Sequence, residues 1–255
     1  MTRFIIEGGP PLKGTVQISG AKNAAIKMVA ASLLTSEEII LSNVPKISDI
    51  EVIVNIVKSL GTEAIWVDND KLKLKSNAPQ AKDISQKITR TTRSAVMLMA
   101  PLLARYKEFS MCSPGGDSIG IRSINRHVEA LQAFGGEVWH ENGCYRGLAR
   151  LGLKGTDFTF NKITVMGTET AILAAVLAEG RSVIENCAAE PEVDDLIEFL
   201  NKMGAKIIRK SERKIEVEGV TLLHGTNHEI LPDRNEAATF ALAAAVTRGD
   251  VILTK

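Results

Sequence analysis

The chain has 255 residues, 45% of them hydrophobic, with 31 Lys+Arg against 30 Asp+Glu and a formal net charge of +1. That suits one large or two small globular domains with a sizeable core, and the balanced charge removes the electrostatic footprint of a nucleic-acid binder. The longest nearly unbroken apolar stretch, 95–104, contains Pro101 and is too short to span a bilayer. The first residues carry Glu7 and Gly-Gly-Pro10 where a signal peptide needs a long apolar run. Cys112, Cys144 and Cys187 are odd in number, widely spaced and without a CxxC pair, which points to a reducing compartment rather than a disulfide framework. The expectation is a soluble cytoplasmic α/β protein.

In chain order, Ile26, Val29, Ala30, Leu33 and Leu34 fall at helical spacing after Ser19-Gly-Ala-Lys22-Asn23. A β-branched run, 39–41, follows as a strand. Ser48-Asp-Ile-Glu51 reads as a capping box opening a second helix that ends on Gly61. Strands follow at 64–67 and 72–74. The pattern then returns: a helix through Ala-Pro-Leu-Leu103, a weak strand at 109–111, a helix ending on Gly135 and a strand at 137–140. It returns again with a helix through Ala-Ala-Val-Leu177, a strand at 183–184, and a helix opened by Glu190-Pro191 and closed by Gly204. That helix carries Val193, Leu196, Ile197 and Leu200, and strands at 205–208 and 214–218 follow it. A fourth pass, Ala-Ala-Ala-Val246 and then 251–253, stops at Lys255 after its first helix and strand, so a fragment is expected.

The aligned residues Leu34, Leu103, Leu177 and Val246 are 69, 74 and 69 residues apart. The repeat is therefore a βαβαββ unit of the α/β (α+β) class, three complete and one begun. From the aligned Leu to the capping Gly is 27 residues in units one and three but 32 in unit two. The extra five residues sit in one loop, Cys112-Ser-Pro-Gly-Gly-Asp117-Ser-Ile-Gly-Ile-Arg122. A repeated scaffold with one elaborated loop marks that loop as the working part.

That loop is no P-loop, since Ile121-Arg122 stands where Lys-Ser/Thr is required, and no apolar strand leads into it as a Rossmann fingerprint needs. It carries one acid, Asp117, and one cation, Arg122, a pairing suited to proton transfer beside an anion. Lys22 at the start of the first helix, with the helix N–H groups, forms a candidate anion site. Arg93 holds nearly the same place in unit two, so both cations can face one polyanionic ligand. His224 and His228 read as solvated loop residues rather than metal ligands. Glu190, Glu192, Asp194 and Asp195 read as a helix N-terminus complementing its dipole. No metal and no cofactor is expected.

As a set, Ser-Gly-Ala-Lys22-Asn23, Thr-Thr-Arg93-Ser-Ala, Pro-Gly-Gly-Asp117-Ser-Ile-Gly-Ile-Arg122 and Leu231-Pro-Asp-Arg234 resemble the UDP-N-acetylglucosamine 1-carboxyvinyltransferases, the enolpyruvyl transferase family, in order over the whole chain. The resemblance implies transfer of the enolpyruvyl group of phosphoenolpyruvate to the sugar 3-hydroxyl with release of phosphate, the first committed step of peptidoglycan synthesis, in the cytoplasm. It implies two lobes, each of three units like the initiation factor 3 C-terminal domain. Residues 1–21 then belong to the second lobe, 22–230 form the first lobe with a lid at 112–122, and 231–255 begin the second lobe again. By motif, Lys22 and Asn23 go to phosphoenolpyruvate and Arg93 to the nucleotide-sugar. Arg122, Ser123, Ile124, Asn125 and Arg126, with Lys162, Ile163, Thr164 and Val165, go to uridine and diphosphate, and Asp117 donates the proton. Most of the family has Cys there; the Asp form is expected to escape covalent attack by the epoxide fosfomycin.

Ser123 and Asn125 depart from the family's usual Pro and Asp, and Met166 from its usual Gly. The rest of the second lobe, which in the family supplies a candidate general base and further arginines, is absent. The alternative reading is a truncated, non-catalytic nucleotide-sugar-binding product of the same fold. An RNA-acting enzyme built from similar repeats is disfavoured by the net charge and the lid.

Overall fold

The computed structural model describes residues 3–5, 7–77, 83–84, 89–90, 92–116, 120 and 122–255. Unit one runs β1 (Lys13–Gln17), α1 (Lys22–Ala31), β2 (Glu38–Ser42), α2 (Ser48–Ser59), β3 (Thr62–Trp66) and β4 (Leu72–Ser76). Unit two has β5 (Asp83–Ile84), a 3-10 turn (Ser94–Leu98) leading into α3 (Met99–Tyr106), β6 (Glu108–Cys112), α4 (Asn125–Ala133), β7 (Glu137–Glu141) and β8 (Cys144–Leu148). Unit three has β9 (Asp157–Thr159), α5 (Val165–Ala175), β10 (Arg181–Glu185), α6 (Pro191–Lys202), β11 (Lys206–Ser211) and β12 (Lys214–Glu218). The chain ends with β13 (Thr226–Glu229), α7 (Arg234–Thr247) and β14 (Asp250–Thr254).

Three four-stranded sheets share one strand order, β13-β2-β4-β3, β5-β6-β8-β7 and β9-β10-β12-β11. In each, a parallel strand precedes an antiparallel trio. Unit one departs in its first strand: β13 takes the parallel place beside β2, and β1 pairs in parallel with β14 in a separate two-stranded sheet.

The first helix of each unit lies at the centre. Ala24 to Ala31 on α1 and Gly167 to Ala175 on α5 are buried on every face, as expected of helices apolar or small all round. The second helices α2, α4 and α6 bury one stripe each, led by Ile50, Ile53 and Val57 on α2 and Val193, Leu196 and Leu200 on α6. By contrast α7, the first helix of the fourth unit, buries no residue, and Leu242 and Val246 are 68% and 85% exposed. Among the described residues no helix is long and apolar enough to cross a membrane.

Several expectations need correction. Beyond the one strand expected after unit two's second helix, 137–140, Cys144-Tyr-Arg-Gly-Leu148 forms another and pairs with both β6 and β7 although Gly147 breaks its apolar alternation. Gly147 is required there, because a Cβ would strike the Phe109 ring. Ser48 is the first residue of α2, not its cap; Ile47 stands at the N-cap and no side chain caps it. Cys112 and Cys144 face each other in the β6–β8 register and are joined by a disulfide, with Cys187 free and buried. Strand pairing makes that proximity, which residue spacing does not reveal, and the bridge removes the cysteine-based argument for a reducing compartment. His228 is buried on β13, where Nε2 meets Asp195 at 2.9 Å and Nδ1 meets Lys202 at 3.2 Å. The acids at the start of α6 do stand at its N-terminus, with Glu192 and Asp194 in the first turn, but two also hold other elements: Asp195 accepts from the Leu231 amide, and Glu192 from Arg234 at 2.8 Å.

Candidate active site

The starts of α1 and the 3-10 turn, the end of the elaborated loop and the start of α5 meet around one pocket of about 170 Å³. Lys22, Asn23, Arg93 and Arg122 line it, with Asp49, Thr92, Gly116 and Met166. Among the described residues three cations face one acid there, an excess of positive charge suited to an anion. A cleft of about 410 Å³ lies elsewhere, near Arg105 and Lys107. In that cleft Arg105 Nη1 already donates to the carbonyls of Leu33 and Thr35 at 2.8 and 2.7 Å, leaving the smaller pocket the better anion site.

Arg93 is positioned by the loop it faces. Its Nη1 and Nη2 donate to the carbonyls of Arg122 and Ser123 at 2.6 and 2.8 Å. Burial first, and then the charge of Arg122, lower its pKa from the usual guanidinium value. Both effects favour a counter-charge in the pocket.

Lys22 Nζ meets Asp49 Oδ2 at 3.0 Å, with both side chains nearly half exposed. An exposed pair of this kind contributes at most about 1 kcal/mol and yields readily to a competing anion. Asp49 was missed as a site residue because its place in the supposed capping box accounted for it. The helix N–H groups differ from expectation too. The Lys22 amide donates to Asp233 Oδ2 at 3.2 Å and the Ala21 amide to the Leu231 carbonyl at 2.8 Å. The 231–233 segment therefore takes part of the helix terminus that the sequence assigned to an anion, leaving the Lys22 side chain as the donor in the pocket. Asp233 also caps α7 through the amides of Asn235 and Glu236, so one carboxylate ties two helix starts together.

The elaborated loop is anchored at its base. The Ser113 amide donates to the Gly143 carbonyl at 2.9 Å, and the Gly115 amide to the Thr89 carbonyl at 2.8 Å. Gly115 lies so close to the Arg90 backbone that a Cβ would collide, and Gly116 has φ +110°, a conformation glycine favours. Asp117 lies outside the described residues.

The remaining expected ligands surround the pocket rather than line it. Ser123 Oγ accepts from the Asn125 amide at 3.0 Å, Ile124 is the buried N-cap residue of α4, and Arg126 is half-buried on that helix's first turn. Thr164 caps α5 by accepting from the Gly167 amide at 3.3 Å. Lys162 and Ile163 are exposed before that cap, and Val165 opens the helix. Met166, noted only as a departure, reaches the pocket. Among the described residues no group of three or more His, Cys, Asp or Glu could hold a metal ion.

The family model described as EPSP synthase (3-phosphoshikimate 1-carboxyvinyltransferase) matches residues 6–255. The chain belongs to the EPSP synthase family. A UDP-N-acetylglucosamine 1-carboxyvinyltransferase of Koribacter versatilis is 42% identical over 256 residues, covering 99% of this chain and 59% of the relative. One of Coxiella burnetii (strain RSA 493 / Nine Mile phase I) is 40% identical over 98% of this chain and 58% of the relative. The chain thus spans about three-fifths of the length of these curated relatives. The enolpyruvyl transferase NikO from Streptomyces tendae superimposes with TM-score 0.79 at 19% identity, over 92% of this chain and 55% of its own. An EPSP synthase from Acinetobacter baumannii gives 0.77 at 19% over 98% and 57%. These two structures share the family's mixed α/β fold.

Proposed function

We propose that this chain carries the first lobe of a UDP-N-acetylglucosamine 1-carboxyvinyltransferase, acting in cytoplasmic peptidoglycan synthesis and so in cell shape and division. The observation that carries the reading is the meeting of Lys22, Asn23, Arg93 and Arg122, from three segments of the chain, in one cationic pocket at the foot of the elaborated loop. In this reading residues 22–230 are the first lobe. Residues 1–21 and 231–255 belong to the second, supported by the parallel β1–β14 pairing and by the bare face of α7.

Lys22 and Asn23 hold the phosphate end of phosphoenolpyruvate. Arg93 and 122–126, with 162–165, hold the nucleotide-sugar. Carbon 3 of the enol takes the proton of Asp117 while the sugar 3-oxygen adds to carbon 2 and gives its own proton to a base supplied by the second lobe. A base then removes a proton from carbon 3, the double bond re-forms and phosphate leaves with the carbon 2–oxygen bonding pair. The developing positive charge at carbon 2 and the departing phosphate need an acid on one side and fixed cations on the other. Aspartic acid has a reference pKa of about 3.9, so a closed, water-poor site must raise it for Asp117 to act as the donor. No cofactor enters this chemistry.

The proposal expects the 255-residue chain to bind UDP-N-acetylglucosamine weakly and to release no phosphate from phosphoenolpyruvate. Joined to the C-terminal part of the Koribacter versatilis relative, it should turn over. Robust release by the 255-residue chain alone contradicts the two-lobe account. A folded joined protein that releases none contradicts the transferase reading.

A further inference from the structure

A wholly buried layer of charge lies one helical turn beneath the pocket. Asn23 and Lys27 are four residues apart on α1, as are Met166 and Thr170 on α5, so each deeper residue shares the face of a pocket-lining one. Lys27 is 4% exposed and Glu169 fully buried, and Lys27 Nζ lies 3.3 Å from Glu169 Oε2. The approach is ionic without hydrogen-bond geometry: neither Glu169 oxygen has a hydrogen-bond partner among the described residues. Beside them His127 Nδ1 and Thr170 Oγ1 share a buried hydrogen bond of 2.7 Å.

We propose that this Lys27–Glu169 pair sets the anion affinity of the pocket above it. With Glu169 neutral, the Lys27 charge acts on the pocket; with Glu169 ionised, the pair cancels and the pocket loses that charge. This rests on reading the Lys22–Arg93–Arg122 pocket as an anion site. By linkage, an anion that binds there draws a proton onto Glu169.

The surroundings support such a titration near neutrality. Burial raises the Glu169 pKa, Lys27 opposes it, and Glu192 and Glu190 at the start of α6 raise it further, leaving it at about 7. Arg234 of α7 is engaged with Glu192. On α4, His127 is held neutral, its pKa pushed down to about 3 by burial and then by the charges of Arg93 and Lys27. Arg93 lines the pocket and Lys27 lies in the buried layer, so His127 feels the charge of both levels. The other elements packed on α5, namely the 3-10 turn, α3, β10 and β12, carry buried apolar residues, Met97, Leu102, Ile184 and Ile215 among them, and Met97 Sδ meets Thr170 Oγ1. A unit charge about 10 Å from a dianion, at an effective dielectric constant of about 20, changes affinity by on the order of a hundredfold, of which a carboxyl titrating near neutrality delivers about tenfold between pH 6 and pH 8.

The test is calorimetric titration of the 255-residue chain with sulfate, whose charge is constant from pH 6 to pH 8. Binding should weaken about tenfold across that range and take up protons near pH 7. Glu169→Gln should bind at the pH 6 strength throughout. The double variant Lys27→Met, Glu169→Gln, which leaves no buried charge unpaired, should bind at or below the pH 8 strength and without a pH slope. Binding by Glu169→Gln with the wild-type pH slope overturns the proposal while leaving the anion site standing. Absence of sulfate binding by the wild-type chain at pH 6 overturns the anion site and the proposal with it.

Discussion

Arg93 holds the main chain of Arg122: its Nη1 donates to the Arg122 carbonyl at 2.6 Å, fixing the end of the elaborated loop to the start of unit two's central helix. A second bond, from Nη2 to Ser123, makes the grip two-pronged. Arg93→Lys keeps the charge but loses the planar fork. Amide hydrogen exchange at Ser123 and Asn125 should quicken several-fold in that variant, and UDP-N-acetylglucosamine binding by a chain completed to both lobes should weaken about tenfold or more. Unchanged exchange and affinity would show that Arg93 neither anchors the loop nor meets the ligand.

Asp49 competes with an incoming anion for Lys22. Asp49→Asn removes the one carboxylate that lines the pocket among the described residues, so phosphoenolpyruvate binding should strengthen several-fold at low salt and approach wild type at high salt. Folding stability should change by less than about 1 kcal/mol, the range for exposed pairs. Weaker binding in Asp49→Asn would mean that Asp49 positions Lys22 rather than occupying it.

Most of the architecture was legible because it is written three times. The recurring alanine-rich helix, the glycine that closes the second helix and the strand after it fixed the units, and the Lys22, Arg93 and Arg122 motifs fixed the pocket. What escaped depends on contacts distant in sequence. The exchange of β1 for β13 in the first sheet, the meeting of Cys112 with Cys144 and the burial of His228 against Asp195 are all made by strand register. Lys27 and Glu169 were hidden for another reason. Each sits within a helix that reads as small and apolar, and only packing brings the two charges together.

Two buried groups give opposite pH dependences of stability. Glu169 has a folded pKa of about 7 against 4.5, so the folded state holds the extra proton. Its contribution is full below 4.5 and lost as pH rises to about 7. Glu169→Gln should therefore match wild type near pH 4.5 and melt higher at pH 8. His127 has a folded pKa of about 3 against 6.5, so its contribution is full above 6.5 and lost as pH falls towards 3. A neutral His127→Asn variant should lose less stability than wild type on acidification. Melting curves at pH 4.5, 6.5 and 8 check both signs.

The disulfide joins Cys112, at the entry to the elaborated loop, to a residue 32 positions away. Cys144→Ser should lower stability by about 2–4 kcal/mol, roughly 4–16 °C in melting temperature for a chain of this size. A dithiol reductant should lower wild type to the same level without affecting the variant. Equal melting of wild type and variant under non-reducing conditions would mean that the bridge contributes no stability.

Asp117→Cys in the chain completed to both lobes should retain turnover and gain irreversible inactivation by fosfomycin, since a thiolate opens an epoxide far faster than a carboxylate does. Mass spectrometry of the treated protein checks for the adduct; a Cys form that turns over yet stays unmodified would place residue 117 away from the reacting carbon.

The most direct test of enolpyruvyl transfer beneath an acidic lid is phosphate release from phosphoenolpyruvate and UDP-N-acetylglucosamine by the completed chain and its Asp117→Asn variant. Asn keeps the size and most of the hydrogen bonding but carries no transferable proton. The account predicts turnover by the Asp form and a loss of about 10²–10⁴-fold in the Asn form, the usual contribution of a general acid. An Asn variant as fast as the Asp form would contradict it.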